Sequence, residues 1–242
     1  MAKPAKKVVK KLVAKKKVVK SKKPATSTSS GNDKQRFTLH GSNMSGPTYT
    51  AGLMLSLSRH PYSYIHVNLR EGQHKQPDYL VKNRYGQVPA LRDGQIFLVQ
   101  SAAILEHLSE SLKKFEGKTP LEKIRIREWL FWQWDKLAVP VLRLRARNRG
   151  FRQFGDEIRT MYDTEAKAAL AVVEHELAKS EWIVGKKPTI ADIGIYAVVR
   201  YAPEALIDLT PYPNVTAWKK RIEALPGFGT PEQILPMESK LL

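Results

Sequence analysis

The stretch from Gly86 to Leu108 constrains this chain most. Gly86-Gln87-Val88-Pro89-Ala90-Leu91 leads a Val-Pro bond into a short apolar strand, and Asp93-Gly94 is a hairpin signal. A second strand ends at Gln100-Ser101, and the run from Ser101 to Leu108 has the spacing of an amphipathic helix. A Val-Pro bond is a candidate cis peptide, since cis bonds are essentially confined to X-Pro. A turn that exposes backbone polar groups beside a helix N-terminus offers a small peptide two holds, one on its backbone and one on its acid group. The module therefore reads either as a peptide site or as a fold signature alone.

The surrounding pattern supplies the rest of an α/β unit. Residues 36–41 alternate as a strand, Ser42-Asn43-Met44-Ser45-Gly46-Pro47-Thr48 is a turn, and a helix runs to about Ser58 with Leu53, Met54 and Leu57 inward. Residues 63–69 alternate as a second strand, and 77–82 suggest a short helix. Strands at 89–92 and 95–98, joined at Asp93-Gly94, precede a helix over 101–114. The second half reads as helical throughout: 119–147 as one long helix, then 156–179, the almost wholly apolar 190–201, and 214–225. Thr189-Ile190-Ala191-Asp192 is a capping box and reads as a folding determinant rather than a catalytic group.

Composition removes several classes of function. The 242 residues contain no Cys, which excludes disulfides, thiolate metal sites and a protein cysteine nucleophile, and fits a reducing compartment, the cytoplasm. The six His residues show no ligand spacing, so no metal is assigned. No apolar run is long enough for a membrane span.

Charge divides the chain in two. Residues 1–31 hold 11 Lys and no acidic residue, out of a net charge of +18 for the whole chain. Lys6-Lys7-Val8-Val9-Lys10 recurs as Lys16-Lys17-Val18-Val19-Lys20, followed by a Ser/Thr-rich linker. Such a segment is expected to be disordered in isolation. It resembles the Lys-rich tails of linker histones and some nucleoid-associated proteins. Its readings are counterion-releasing contact with nucleic acid or another polyanion through residues 3–23, with nucleoid association, or a basic helix on an anionic membrane, or a solubilising extension. The expected organisation is a tail and linker at 1–34, an α/β domain at 35–115 and an all-helical domain at 116–242.

Over residues 36–228 the chain resembles a cytosolic-type glutathione transferase. The resemblance rests on Pro77-Asp78-Tyr79-Leu80 with Asn83, Gly86 to Leu91, Gln100-Ser101 with Ala103-Ile104, Thr189 to Asp192, and Tyr212-Pro213-Asn214-Val215 with Trp218. Trp129-Leu130-Phe131-Trp132-Gln133 also looks like the bacterial nu-like group, and Ser45-Gly46-Pro47-Thr48 like the turn of serine-type members. The β-α-β-α-β-β-α order then implies a thioredoxin-like N-terminal domain, a helical C-terminal domain, a homodimer, and glutathione as co-substrate with no other cofactor.

The chemistry so implied needs a stabilised thiolate, because a free thiol ionises only near pH 8.5. Ser42, Ser45, Thr48 and Tyr49 all carry hydroxyls near the first turn. Ser45 is the leading candidate for the catalytic donor, with Ser42 and Tyr49 as alternatives and simple helix capping as the bland reading. The resemblance implies that Val88, with Pro89 cis, pairs with the cysteinyl backbone beside Gln87. It implies that Gln100 and Ser101 hold the γ-glutamyl end, and that Gln73 and Lys75, flanking His74, reach the glycyl end. Arg143, Arg145, Arg147, Arg149 and Arg152 form a second basic cluster that attracts an anionic substrate, extends a polyanion surface, or is a solvated face. The expected reaction is attack of the glutathione thiolate on an unidentified electrophile, with glutathione-dependent disulfide reduction open. The rival reading is a non-catalytic relative acting as an interaction module tethered to nucleic acid by its tail.

Overall fold

A computed structural model describes residues 35–241; the Lys-rich tail and its linker lie outside them. Strand β1 (Phe37–Gly41) pairs parallel with β2 (Ser63–His66) and antiparallel with β3 (Ala90–Asp93), and β3 pairs antiparallel with β4 (Ile96–Val99). The parallel pair needs a crossover, which is helix α1 (Gly46–Leu57). The hairpin turns at Gly94-Gln95, one residue later than the Asp93-Gly94 signal implied. Asp93 stays in the ladder opposite Phe37, where Arg36 and His107 both bond its carboxylate, at 2.9 and 2.8 Å. Helices α2 (Pro77–Leu80) and α3 (Ser101–Leu112) complete a thioredoxin-like α/β layer.

The helical half holds α4 (Pro120–Trp132), α5 (Val139–Asn148), α6 (Asp156–Leu177), α7 (Ile190–Val199), α8 (Pro213–Glu223) and the short α9 (Pro231–Ile234). The long helix expected over 119–147 is interrupted: a π-helical turn, Gln133–Ala138, separates α4 from α5. Pro140 accounts for the break, since it lacks the N–H that residue 136 would accept from and its ring clashes with that carbonyl. The far end also departs from an all-helical reading. A two-residue strand, β5 (Lys240–Leu241), returns to the sheet antiparallel to β2 and makes the strand order β4-β3-β1-β2-β5.

Helix α7 is buried along its whole length and packs against α1, α3 and α4. Its start is set by Asp192, fully buried, which accepts from the N–H groups of Thr189 (2.8 Å) and Ile183 (2.9 Å), the Thr189 hydroxyl (3.1 Å) and the Trp218 indole (2.9 Å). A carboxylate inside a core is tolerated only when its lone pairs are filled in this way. Asp192 thus joins the 183–189 loop, α7 and α8. The segment before α9 is tied back to the α/β layer by hydroxyls: Ser56 donates to the Gly227 carbonyl and Tyr49 to that of Gly229.

His40, on β1, is buried, and no carboxylate among the described residues bonds it. Burial, with the nearby charges of Lys82 and Arg92, lowers its pKa to about 4. As pH falls below the unfolded value near 6.5, the unfolded chain takes up the proton first. His40 therefore costs nothing above pH 6.5 and destabilises the fold progressively from 6.5 down to 4, by up to about 3 kcal/mol. Urea midpoints measured between pH 7 and 4 should fall for the unmodified chain, and more shallowly for His40→Gln.

Candidate functional site

A cleft of about 600 Å³ opens between the α/β layer and α5, within the range of small-ligand sites. Three features of the α/β layer meet on it: the N-termini of α1 and α3, and the turn between them in space at Val88-Pro89. Both helices begin at the C-terminal end of a strand, so their free N–H groups and positive dipole ends face the same space.

Ser45 is the N-cap of α1. Its Oγ accepts from the Thr48 N–H at 3.2 Å, which uses a lone pair and leaves the hydroxyl proton available for donation into the cleft. Of the hydroxyls considered around this turn, Ser45 alone lines the cleft. Ser42 is buried and accepts from the Met44 N–H at 3.4 Å, and Thr48 is buried under Gly41. Tyr49 is fully buried, its hydroxyl donates to Gly229, and burial pushes its pKa up. Gly46 permits this arrangement: a Cβ there would lie 3.2 Å from Leu142 of α5, which closes over the turn.

The Val88-Pro89 bond is cis. Among the described residues neither the N–H nor the carbonyl of Val88 has a hydrogen-bond partner. The flanking carbonyls, by contrast, are strapped down. Buried Asn83 donates to the Gln87 carbonyl at 2.6 Å and the Pro89 carbonyl at 3.1 Å, and Tyr79 adds a bond to Gln87 at 2.9 Å. The Val88 edge is thus held rigid and left open for pairing.

Gln100 precedes α3 with φ +69, a conformation that side chains of its kind rarely adopt. Ser101 follows as the first helical residue, only 2% exposed, and its Oγ has no partner among the described residues. A buried hydroxyl that caps nothing, beside free helical N–H groups, suits a carboxylate. Lys75 also lines the cleft, its ammonium donating to the Gly86 carbonyl at 2.7 Å. Gln73, expected at the glycyl end, is not among the residues that line the cleft. Its Oε1 accepts from the Asn68 N–H at 2.8 Å, stitching its own loop. His74 lines the cleft in its place, with Nδ1 buried and unpartnered among the described residues.

The other wall comes from the π-turn, α5 and the loop after it, including Trp134, Leu142 and Phe151. Arg143, Arg145, Arg149 and Arg152 line it, whereas Arg147 turns away to the Phe154 carbonyl and Asp156. Arg145 is almost fully buried. It donates to the Met44 carbonyl at 2.7 Å and to Glu204 at 2.9 Å, and its guanidinium lies 3.9 Å from the centre of the Tyr201 ring. Burial alone would raise the Glu204 pKa, but the bonds from Arg145 and Arg149 outweigh it and hold the carboxyl below its usual range. Asn83, Trp134 and Arg70 line the cleft although sequence reasoning gave them no binding role, and Arg145 was read only as one of a basic cluster. Arg145 and Asn83 lay within quoted motifs, but only packing aims them here.

Comparison with known proteins follows the same division of the chain. Residues 38–110 match the glutathione S-transferase N-terminal domain and 153–226 the glutathione S-transferase C-terminal domain. The chain is 30% identical over 202 residues to a probable glutathione S-transferase, GSTF2, of Oryza sativa subsp. japonica, covering 78% of this chain and 92% of that one. It is 28% identical over 184 residues to the disulfide-bond oxidoreductase YfcG of Escherichia coli (strain K12), covering 73% and 86%. The crystal structure of a glutathione S-transferase from Xanthobacter autotrophicus Py2 superposes with a TM-score of 0.75 at 31% identity, covering 83% of this chain and 98% of that one.

Proposed function

The chain belongs to the glutathione S-transferase family, and we propose that its cleft binds glutathione along the Val88 edge with the thiol at Ser45. It is a glutathione transferase, and Ser45 makes it a serine-type one. The observation that carries this reading is the Ser45 hydroxyl, the one hydroxyl of its turn that faces the cleft and one whose proton is uncommitted. The thiol proton leaves to solvent, and the sulfur accepts a hydrogen bond from Ser45 at the positive end of α1. The tripeptide backbone pairs with Val88 beside Gln87 and Pro89. The γ-glutamyl carboxylate takes the Ser101 hydroxyl and the first N–H groups of α3, next to Gln100. Lys75, with His74, meets the glycyl carboxylate.

The thiolate then attacks an electrophilic carbon. The similarity to the E. coli disulfide-bond oxidoreductase supports a second acceptor, a disulfide sulfur. In a chain without Cys, that exchange would take its attacking sulfur from glutathione alone. The cytosol keeps glutathione reduced, at a poise of roughly −220 to −320 mV, and we place the reaction there. An uncommitted proton on Ser45 supports catalysis over the non-catalytic module.

In conjugation of 1-chloro-2,4-dinitrobenzene, Ser45→Ala should lower kcat by about tenfold or more at pH 6.5 and move the rate plateau to higher pH. Ser101→Ala should raise KM for glutathione roughly fivefold with that plateau unmoved. No glutathione binding at millimolar concentration would sink the whole reading.

Two partners complete the proposal. Leu121, Ile124 and Phe131 share one exposed face of α4, which suits a homodimer contact. The mass measured by light scattering should fall by half in Phe131→Glu, and an unchanged mass would remove that face from consideration. Residues 3–23 carry the Lys that suit a polyanion. Duplex DNA binding should be salt-dependent and should weaken when residues 1–31 are deleted; equal binding by both forms would remove that role.

A further inference from the structure

The cleft lining carries Arg70, Lys75, Arg143, Arg145, Arg149 and Arg152, and among the described residues no Asp or Glu. These cations are not equivalent. Arg145 and Arg149 both bond Glu204, and the Lys75 ammonium is held on the Gly86 carbonyl. Arg70, Arg143 and Arg152 meet no carboxylate among the described residues, so the uncompensated charge sits on α5, the loop after it, and Arg70 of the facing α/β layer.

The loop after α5 is built to put it there. Gly150, at φ +76, reverses the chain, and the N–H groups of Phe151 and Arg152 both return to the Ala146 carbonyl, at 2.8 and 3.2 Å. That fold-back lays Phe151 and Arg152 over the end of α5, and both line the cleft together with Arg143. The Arg70 guanidinium, from the α/β layer, stands 5.5 Å from the centre of the Phe151 ring. Phe151 is half exposed, and with Leu142, Val139 and Trp134 it gives this wall an apolar surface among cations. Flat apolar surface ringed by guanidinium groups matches a molecule with an aromatic or other apolar body and an acid group.

Resting on the proposed glutathione transfer, we infer that the second substrate is an anionic electrophile whose carboxylate or similar acid group is held by Arg143 and Arg152. The acid group takes no part in the bond changes. With a chloroarene carboxylate, the glutathione sulfur attacks the carbon bearing chlorine, a C–S bond forms, the C–Cl bond breaks, and chloride leaves with the bonding pair. The arginines set the ring's position and its affinity.

The test compares 4-chloro-3,5-dinitrobenzoate with its neutral methyl ester, each rate divided by that of the uncatalysed thiolate reaction. The acid should be preferred in kcat/KM by about tenfold, and in Arg143→Gln/Arg152→Gln that ratio should fall to about one through a higher KM for the acid. In the unmodified chain, raising NaCl from 20 to 300 mM should erase most of the preference, which tests the idea without any variant. Calorimetry with unreactive 3,5-dinitrobenzoate and its methyl ester reads the acid site separately from turnover. Acid binding that is lost in the double variant, in a chain that conjugates nothing, would leave the acid site standing but overturn the transfer and, with it, the electrophile assigned to that site. An acid-to-ester ratio near one, or one insensitive to salt, would overturn the inference and leave the transfer standing.

Discussion

Helix α1 is enclosed by the sheet, by α3 and by α7, and nearly every residue along it is buried. A helix in that position has satisfied backbone groups everywhere except its ends. Its C-terminal end is bonded through Ser58 and Arg59 to the preceding turn. The N-terminal end opens on the cleft, so the unpaired N–H groups and the dipole charge of a buried element are delivered to one small space. There the low dielectric behind the site strengthens any interaction with a developing anion. Gly46 lets α5 close on that end, and Pro47 helps start the helix there.

The cleft is assembled by parts that do not share a segment. Asn83 holds the carbonyls on either side of Val88, Arg145 reaches from α5 to the Met44 carbonyl, and Asp192 secures α7 beneath them. The buried Arg145 is affordable only because Glu204, Met44 and Tyr201 surround it. Its charge is thereby fixed near Ser45 while being partly balanced. Arg143, earlier on α5, and Arg152, in the loop after it, lack that balance among the described residues, so uncompensated positive charge remains on this wall of the cleft.

Much of the frame was legible in the residues. The order of strands and helices through Leu112 followed from period and turn chemistry, and the Thr189–Asp192 capping box identified the start of the central helix. Interruption at Gln133–Ala138 was not legible as such: Pro140 sits inside an otherwise helical pattern, and whether Pro kinks, ends or widens a helix depends on what neighbours can satisfy the freed carbonyl. Strand β5 was invisible because two residues carry no periodicity. The turn of Gln73 toward its own loop was not legible for a related reason. Adjacent positions in a tight turn point in different directions, and a motif offset of one residue decides between the cleft and the loop's own backbone.

The sequence by itself determined the local conformations with a covalent or short-range cause: the Val-Pro bond, the caps at Ser45 and Thr189, the apolar length of α7 and the absence of any thiol. Tertiary structure decided which of several hydroxyls faces the cleft, since burial of Ser42, Thr48 and Tyr49 depends on elements up to 180 residues away, such as the Gly229 carbonyl that takes the Tyr49 proton. It also decided which arginines are spent on Glu204 and which remain open. Local pattern states what a residue is able to do; only packing, by supplying or withholding a partner, states whether that capacity is still free.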